Sequence, residues 1–247
     1  MKPYHQVPIQ ESHELLVEIP LGCFAVETPH PYTKLAAPYG EKSPYYLRQG
    51  VLERLLLAQE VLQEKHSGWR IQIFDAYRPI AVQQFMVDYT FQQTLQAEGL
   101  SEERLTASQR QSVLAKVYQF WALPSFDPAM PPPHSTGAAV DVTLVDAAGQ
   151  VVDMGSPIDE MSPRSSPDYY AQFTREPYPE PLPKTGSQPF EPFQFHCNRQ
   201  LLKAVMIAAG FEQHPCEWWH FSYGDQLWAW LTSQKVSQPP IAQYGAI

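Results

Sequence analysis

Two hydrophobic periods alternate along the chain and predict most of its elements. Residues 14–28 give short strands around Pro20-Leu21-Gly22, and 29–46, rich in Pro and Tyr, gives a loop. From about Leu47 to His66 the period turns helical: Val51, Leu55, Ala58 and Leu62 recur every three or four residues, and Ser67-Gly68 stops the run. Trp69 to Tyr77 alternates with period two and predicts a strand ending at Arg78-Pro79. Proline disfavours helical geometry at Arg78 and can itself open a helix, so Arg78 falls where a strand stops and a helix starts. That helix runs from Ile80 to about Gln96, with Val82, Phe85, Met86 and Tyr89 on one face. A second begins near Thr106, where Thr106-x-x-Gln109 fits a capping box, and runs to about Trp121.

Ala139 to Leu144 reads as an apolar strand interrupted by one acid. Ala139, Asp141 and Thr143 share one face; Ala138, Val140, Val142 and Leu144 share the other. Turn residues 147–150 predict a return strand at Val151-Val152-Asp153. Residues 160–195 show no sustained period and predict a long loop. Asn198 is expected to cap a helix burying Leu201, Leu202, Val205 and Met206, stopped by Gly210. Phe211 to Tyr223 is strand-like, and Asp225 is expected to cap a last helix.

Composition changes this picture in three ways. The 25 prolines among 247 residues cluster at 124–133 and 157–192 and mark those stretches as loops. A net charge of −9 argues against a nucleic-acid partner. No apolar run is long enough to span a membrane. Met1 to Gln10 has no signal-peptide core, and three widely spaced cysteines suit a reducing compartment. A cytoplasmic protein of unknown oligomeric state is expected.

The chemistry lies in the interruptions. A carboxylate inside an apolar strand costs free energy unless a cation or several donors meet it. His134, seven residues before Asp141 and after three prolines, and the distant His220 are its candidate partners. Two imidazoles and a carboxylate suit a catalytic zinc site with an open fourth position. The spacing matches none of the standard short zinc patterns, and each residue alone could be a loop histidine or a buried acceptor. Glu217 is the candidate general base, Arg78 the candidate oxyanion stabiliser and Asp159 the candidate partner for a substrate ammonium. The plainer readings are an exposed glutamate beside a tryptophan pair, a surface salt bridge from Arg78 to Asp75, and a turn aspartate. A regular strand would point Glu217 and His220 to opposite faces, so the chain must turn or bulge between them. Cys197 and Cys216, near His196 and His214, form a rival thiolate site without C-x-x-C spacing.

Taken in order, Asp75-Ala76-Tyr77-Arg78-Pro79, His134-x-x-Gly137-x-Ala139-x-Asp141, Met154-Gly155-Ser156-x-x-Asp159 and Glu217-Trp218-Trp219-His220 resemble the zinc D-alanyl-D-alanine dipeptidases, the VanX-like enzymes. Asn198-Arg199 and the apolar helix after it also look like the family, and the resemblance covers roughly residues 45 to 223. It implies an α+β fold of the hedgehog/D,D-peptidase type: a central antiparallel sheet with packed helices, one domain over 1–247, and a proline-rich loop at about 160–195. It implies one zinc ion per chain on His134, Asp141 and His220, Glu217 as base, Arg78 at the oxyanion and Asp159 on the dipeptide's amino group. The implied activity is hydrolysis of D-alanyl-D-alanine, a small dipeptide. Two other readings share the site: a D,D-carboxypeptidase or endopeptidase acting on peptidoglycan peptides, and a non-catalytic hedgehog-like zinc module. Two departures stand out. Pro132 occupies a position where the dipeptidases often have a serine, and the 160–195 span is long for the family.

Overall fold

The computed structural model describes residues 2–174, 191–237 and 240–247. Its centre is a five-stranded sheet. Strands β1 (Leu16–Glu18) and β2 (Ala25–Val26) are followed by a one-turn helix α1 (Pro31–Lys34) inside the expected loop, then β3 (Tyr46–Arg48) and helix α2 (Gln49–Lys65). Next come β4 (Arg70–Asp75), α3 (Ile80–Ala97), α4 (Ala107–Phe120) and β5 (Ala139–Val145). Helix α5 (Glu191–Ala208), β6 (Glu212–Gln213), β7 (His220–Ser222) and α6 (Gln226–Ser233) complete the order. The large sheet runs β2-β4-β5-β7-β6, while β1 and β3 pair separately. It is antiparallel except at one edge, where β2 runs parallel to β4.

All seven residues of β5 are buried, so both sheet faces are covered. Val140, Val142 and Leu144 pack with Leu55 and Leu62 of α2 and Leu202 and Val205 of α5 in the main core. Ala139, Asp141 and Thr143 face the other way, and that face carries the polar groups. A second core lies under α3 and α4, built from Tyr32, Val82, Met86, Phe91, Val113, Val117 and Trp121. The capping box forms as expected: Thr106 Oγ1 accepts from Gln109 N at 3.2 Å, and Gln109 Oε1 accepts from Thr106 N at 2.9 Å. Thr106→Ala should therefore lower unfolding free energy by about 1 kcal/mol in denaturant titrations, with α4 as the part that frays first.

Three expected elements differ. Val151 makes only an isolated bridge to Val145 in place of a strand at 151–153. The chain leaves the sheet there because the next carbonyls, of Asp153 and Met154, accept from Asn198 and Arg199 at 2.7 Å each. Helix α5 starts at Glu191, not at Asn198, whose side chain ties that loop and caps nothing. The span Phe211–Tyr223 is two short strands with a turn at 214–219 between them. Of the expected long loop, Pro163–Ser165 and Tyr169–Thr174 form 3-10 turns, while 175–190 lies outside the described residues.

Candidate active site

Backbone register brings the first three polar groups together. Asp141 on β5 pairs with Asp75 on β4 and with His220 on β7. The register of β4 slips by one residue between Ile73 and Asp75, and this bulge sets Asp75 beside Asp141. His134 arrives from a 3-10 turn, Pro133–Thr136, closed by Gly137 at φ 71°. That left-handed conformation favours glycine, and a Cβ there would meet Leu16 Cδ1 at 2.6 Å.

The ring and carboxylate atoms then converge. His134 Nε2 lies 3.2 Å from Asp141 Oδ2 and 3.2 Å from His220 Nδ1, and His220 Nδ1 lies 3.1 Å from Asp141 Oδ1. The far nitrogens are occupied. His134 Nδ1 donates to the Ala76 carbonyl at 2.7 Å. His220 Nε2 meets Ser222 Oγ at 3.3 Å, whose hydroxyl donates to Asp225 Oδ2 at 2.9 Å. These partners hold both rings in place and turn His134 Nε2 and His220 Nδ1 toward Asp141. Burial would raise the Asp141 carboxyl, but the His134 and His220 rings facing it pull it well below the usual carboxylate range.

Arg78 follows the end of β4 and is 4 % exposed, so its contact with Asp75 is a buried pair and not a surface bridge. Nη2 lies 2.7 Å from Asp75 Oδ2 and 3.4 Å from Asp141 Oδ2, and Nη1 donates to Gln83 Oε1 at 2.9 Å. The guanidinium also faces the Tyr32 and Trp121 rings at 5.1 and 5.0 Å. Asp159 sits at φ 63° on the loop after β5 and accepts from Tyr32 Oη at 2.7 Å. Burial and then the Asp141 charge push its carboxyl up to about 6, against the pull of Arg78 and Tyr32.

The loop holding Asp159 is clamped from α5. Arg199 donates to the Met154 and Ser166 carbonyls at 2.7 and 2.8 Å and to Ser156 Oγ at 3.0 Å. Trp218 Nε1 also reaches Ser156 Oγ at 3.0 Å, so the Met154-Gly155-Ser156, Asn198-Arg199 and Trp218 motifs form one unit. Gly155, at φ 79°, sits so close to Tyr170 that a Cβ would lie 2.5 Å from its ring.

Glu217 lies on the turn between β6 and β7. The turn removes the parity conflict with His220, and Glu217 Oε2 stands 3.8 Å from His220 Nδ1. Burial pushes its carboxyl up to about 7, with His220 and Lys2 opposing and Asp141 reinforcing the rise. All six candidates, Arg78, His134, Asp141, Asp159, Glu217 and His220, line one cavity, joined by Lys2, Tyr4, Gln83 and His214. Sequence reasoning missed Tyr32, Gln83, Lys2 and Tyr4, which carry no periodicity or spacing signal.

A family profile described as "D-ala-D-ala dipeptidase" matches residues 26–239. The chain belongs to that family. The D-alanyl-D-alanine dipeptidase of Synechocystis sp. is 48% identical over 248 residues, covering 100% of this chain and 97% of that protein. Proteins of the same name from Escherichia coli and Enterococcus faecium are 28% and 29% identical, over 67% and 70% of this chain and 61% and 71% of theirs. As a member of the D-Ala-D-Ala dipeptidase family the chain is a metallopeptidase.

The donor set fits the metal that this family requires. Asp141 Oδ1 is buried and receives no hydrogen bond, although His220 Nδ1 is 3.1 Å away. Metal–ligand distances of roughly 2.0–2.1 Å in a tetrahedron give ligand edges of about 3.3 Å; His134 Nε2 and His220 Nδ1 stand 3.2 Å apart, and one ligand atom from each of the three residues lies within 4.8 Å of the others. His134, Asp141 and His220 are the group able to hold a metal found among the described residues. The rival site is not formed: Cys216 is exposed, Cys197 is partly buried, and neither joins such a group among those residues.

Proposed function

We propose that the chain hydrolyses D-alanyl-D-alanine to two D-alanines with one zinc ion held by His134, Asp141 and His220. The observation that carries this reading is the convergence of those three donors, with Glu217, Arg78 and Asp159 lining the same cavity. Two neutral imidazoles and one carboxylate favour zinc among the common divalent cations. When bound, the ion polarises the scissile carbonyl and acidifies the attacking water.

The side chains supply the rest. Glu217 takes the proton of the attacking water and returns it to the departing amine. Its buried setting favours the exchange by keeping the carboxyl near neutral range. Arg78 meets the negative charge that grows on the carbonyl oxygen. Its two contacts to Asp75 and the one to Gln83 fix its head before substrate arrives, so little reorganisation is needed. Asp159, oriented by Tyr32, holds the substrate ammonium. An N-acylated peptide would leave that buried carboxylate unpaired, which argues for a free dipeptide over a carboxypeptidase substrate. The joint presence of Glu217 and Arg78 disfavours a purely structural zinc module. Free thiols at Cys23, Cys197 and Cys216 support the cytoplasmic location in the proposal.

The test is release of D-alanine by the zinc-loaded protein from D-Ala-D-Ala and from N-acetyl-D-Ala-D-Ala. Cleavage of the free dipeptide alone supports the reading; equal cleavage of both favours the carboxypeptidase. A pH series adds a second check. Asp159 is charged above about 6 and neutral below it, and only the charged form pairs with an ammonium. KM should therefore rise as pH falls through about 6, and Asp159→Asn should raise KM throughout and flatten that dependence.

A further inference from the structure

Two sets of charged groups share the cavity. Asp159 accepts from Tyr32 and feels the charges of Asp141, Arg78 and Asp75. Glu217, His214, Tyr4 and Lys2 line the same cavity. Lys2 carries a charge that acts on both Glu217 and His214, alongside those of His220 and Asp141, but it is not among the charges that dominate at Asp159. A zwitterionic dipeptide needs both an anion and a cation. Its ammonium goes to Asp159, and its carboxylate then lies across the scissile bond and requires a cation that is not already neutralised.

Arg78 does not meet that requirement, because Asp75, Asp141 and Asp159 already surround it. Lys2 does. The ion pairs formed among the described residues by Lys34, Arg48, Arg78, Lys116 and Lys235 have no counterpart at Lys2. Its side chain is partly buried and lines the cavity. The segment bearing it is anchored along its length. Tyr4 is 5 % exposed within the 3-10 turn Pro3–Gln6, which packs on α6. Gln226 donates to the Val7 carbonyl at 2.7 Å, Gln10 N donates to the Ala242 carbonyl at 2.8 Å, and Ser12 N to that of Gln243 at 2.9 Å. The ammonium is thus carried on a strap fixed to α6 and to residues 242–243.

We propose that Lys2 receives the C-terminal carboxylate of the dipeptide and sets the preference for substrates that end at the second residue. The inference rests on the proposed dipeptidase activity. It assigns a specificity-determining role to the start of the chain, outside the span matched by the family profile. A charged pair of this kind discriminates between a free acid and its neutral amide, where the cation gains nothing from the missing charge.

The test compares D-Ala-D-Ala with its C-terminal amide on the zinc-loaded full chain, in the wild type, Lys2→Met and Lys2→Arg. In Lys2→Met, KM for the acid should rise about ten- to hundredfold, with kcat little changed and KM for the amide unaltered. Lys2→Arg should restore part of the preference. An unchanged acid KM in Lys2→Met, or an equal rise for acid and amide, would overturn the assignment. A wild type that cleaves neither compound sinks the hydrolase reading instead. Calorimetric binding of the same two compounds then decides the Lys2 role. Tighter binding of the acid by the wild type, lost in Lys2→Met, upholds it; equal binding, or none, overturns it.

Discussion

Glu217→Gln is expected to retain one metal ion per chain and to lose D-Ala-D-Ala turnover by about 10²–10⁴-fold, the usual contribution of a positioned general base. The amide keeps the shape of the side chain on its turn but has no basic oxygen for the water's proton. His220 Nδ1 is 3.8 Å from Glu217 Oε2, beyond hydrogen-bond reach, so it does not need Glu217 to stay in place. Parallel measurement of bound zinc and of kcat separates the two roles. Loss of metal together with activity would make Glu217 a ligand or a structural support. Undiminished turnover would remove it from the mechanism.

The second large effect is expected at the ligands. His134→Ala should abolish metal binding and with it the stabilisation that metal confers. Zinc at about a hundred times its Kd adds roughly 2.7 kcal/mol to a native state that alone binds it. For a chain of this size that is about 5–10 °C in Tm. Thermal melts with and without zinc should show such a gap in the wild type and none in His134→Ala. The metal-free variant should still fold, because Val140, Val142 and Leu144 pack on the opposite sheet face. A wild-type Tm indifferent to zinc would count against the three-donor assignment.

The legible parts of this site were the residues that break a local pattern. Asp141 stands out because every other position of its strand is apolar or small, apart from Thr143. Arg78 stands out because a proline follows it at a change of period. The pairing of Asp75 with Asp141 was not legible, since it depends on a one-residue bulge that alternation does not signal. A continuous strand over Phe211–Tyr223 would misplace Glu217, whereas the chain forms two short strands there. The turn at 214–219 is set by contacts such as His214 N to the His220 carbonyl at 2.9 Å and Trp218 N to that of Ser165, also at 2.9 Å. Asn198 resembles a helix cap locally, yet its amide is used 45 residues back in the chain, on Asp153. Tyr32 lies in a Pro/Tyr-rich stretch where nothing distinguishes it, and only the folded chain brings its hydroxyl between Asp159 and Arg78. Side chains that act through distant partners leave no periodic trace.

The proposed dipeptidase depends on one zinc ion held by His134, Asp141 and His220. It is tested most directly by stripping the protein with chelator and titrating zinc back while following D-alanine release. Turnover should be absent in the stripped protein, rise in proportion to bound zinc and level off at one ion per chain. Full turnover without metal, or a protein that binds zinc at those residues and never cleaves the dipeptide, would contradict it.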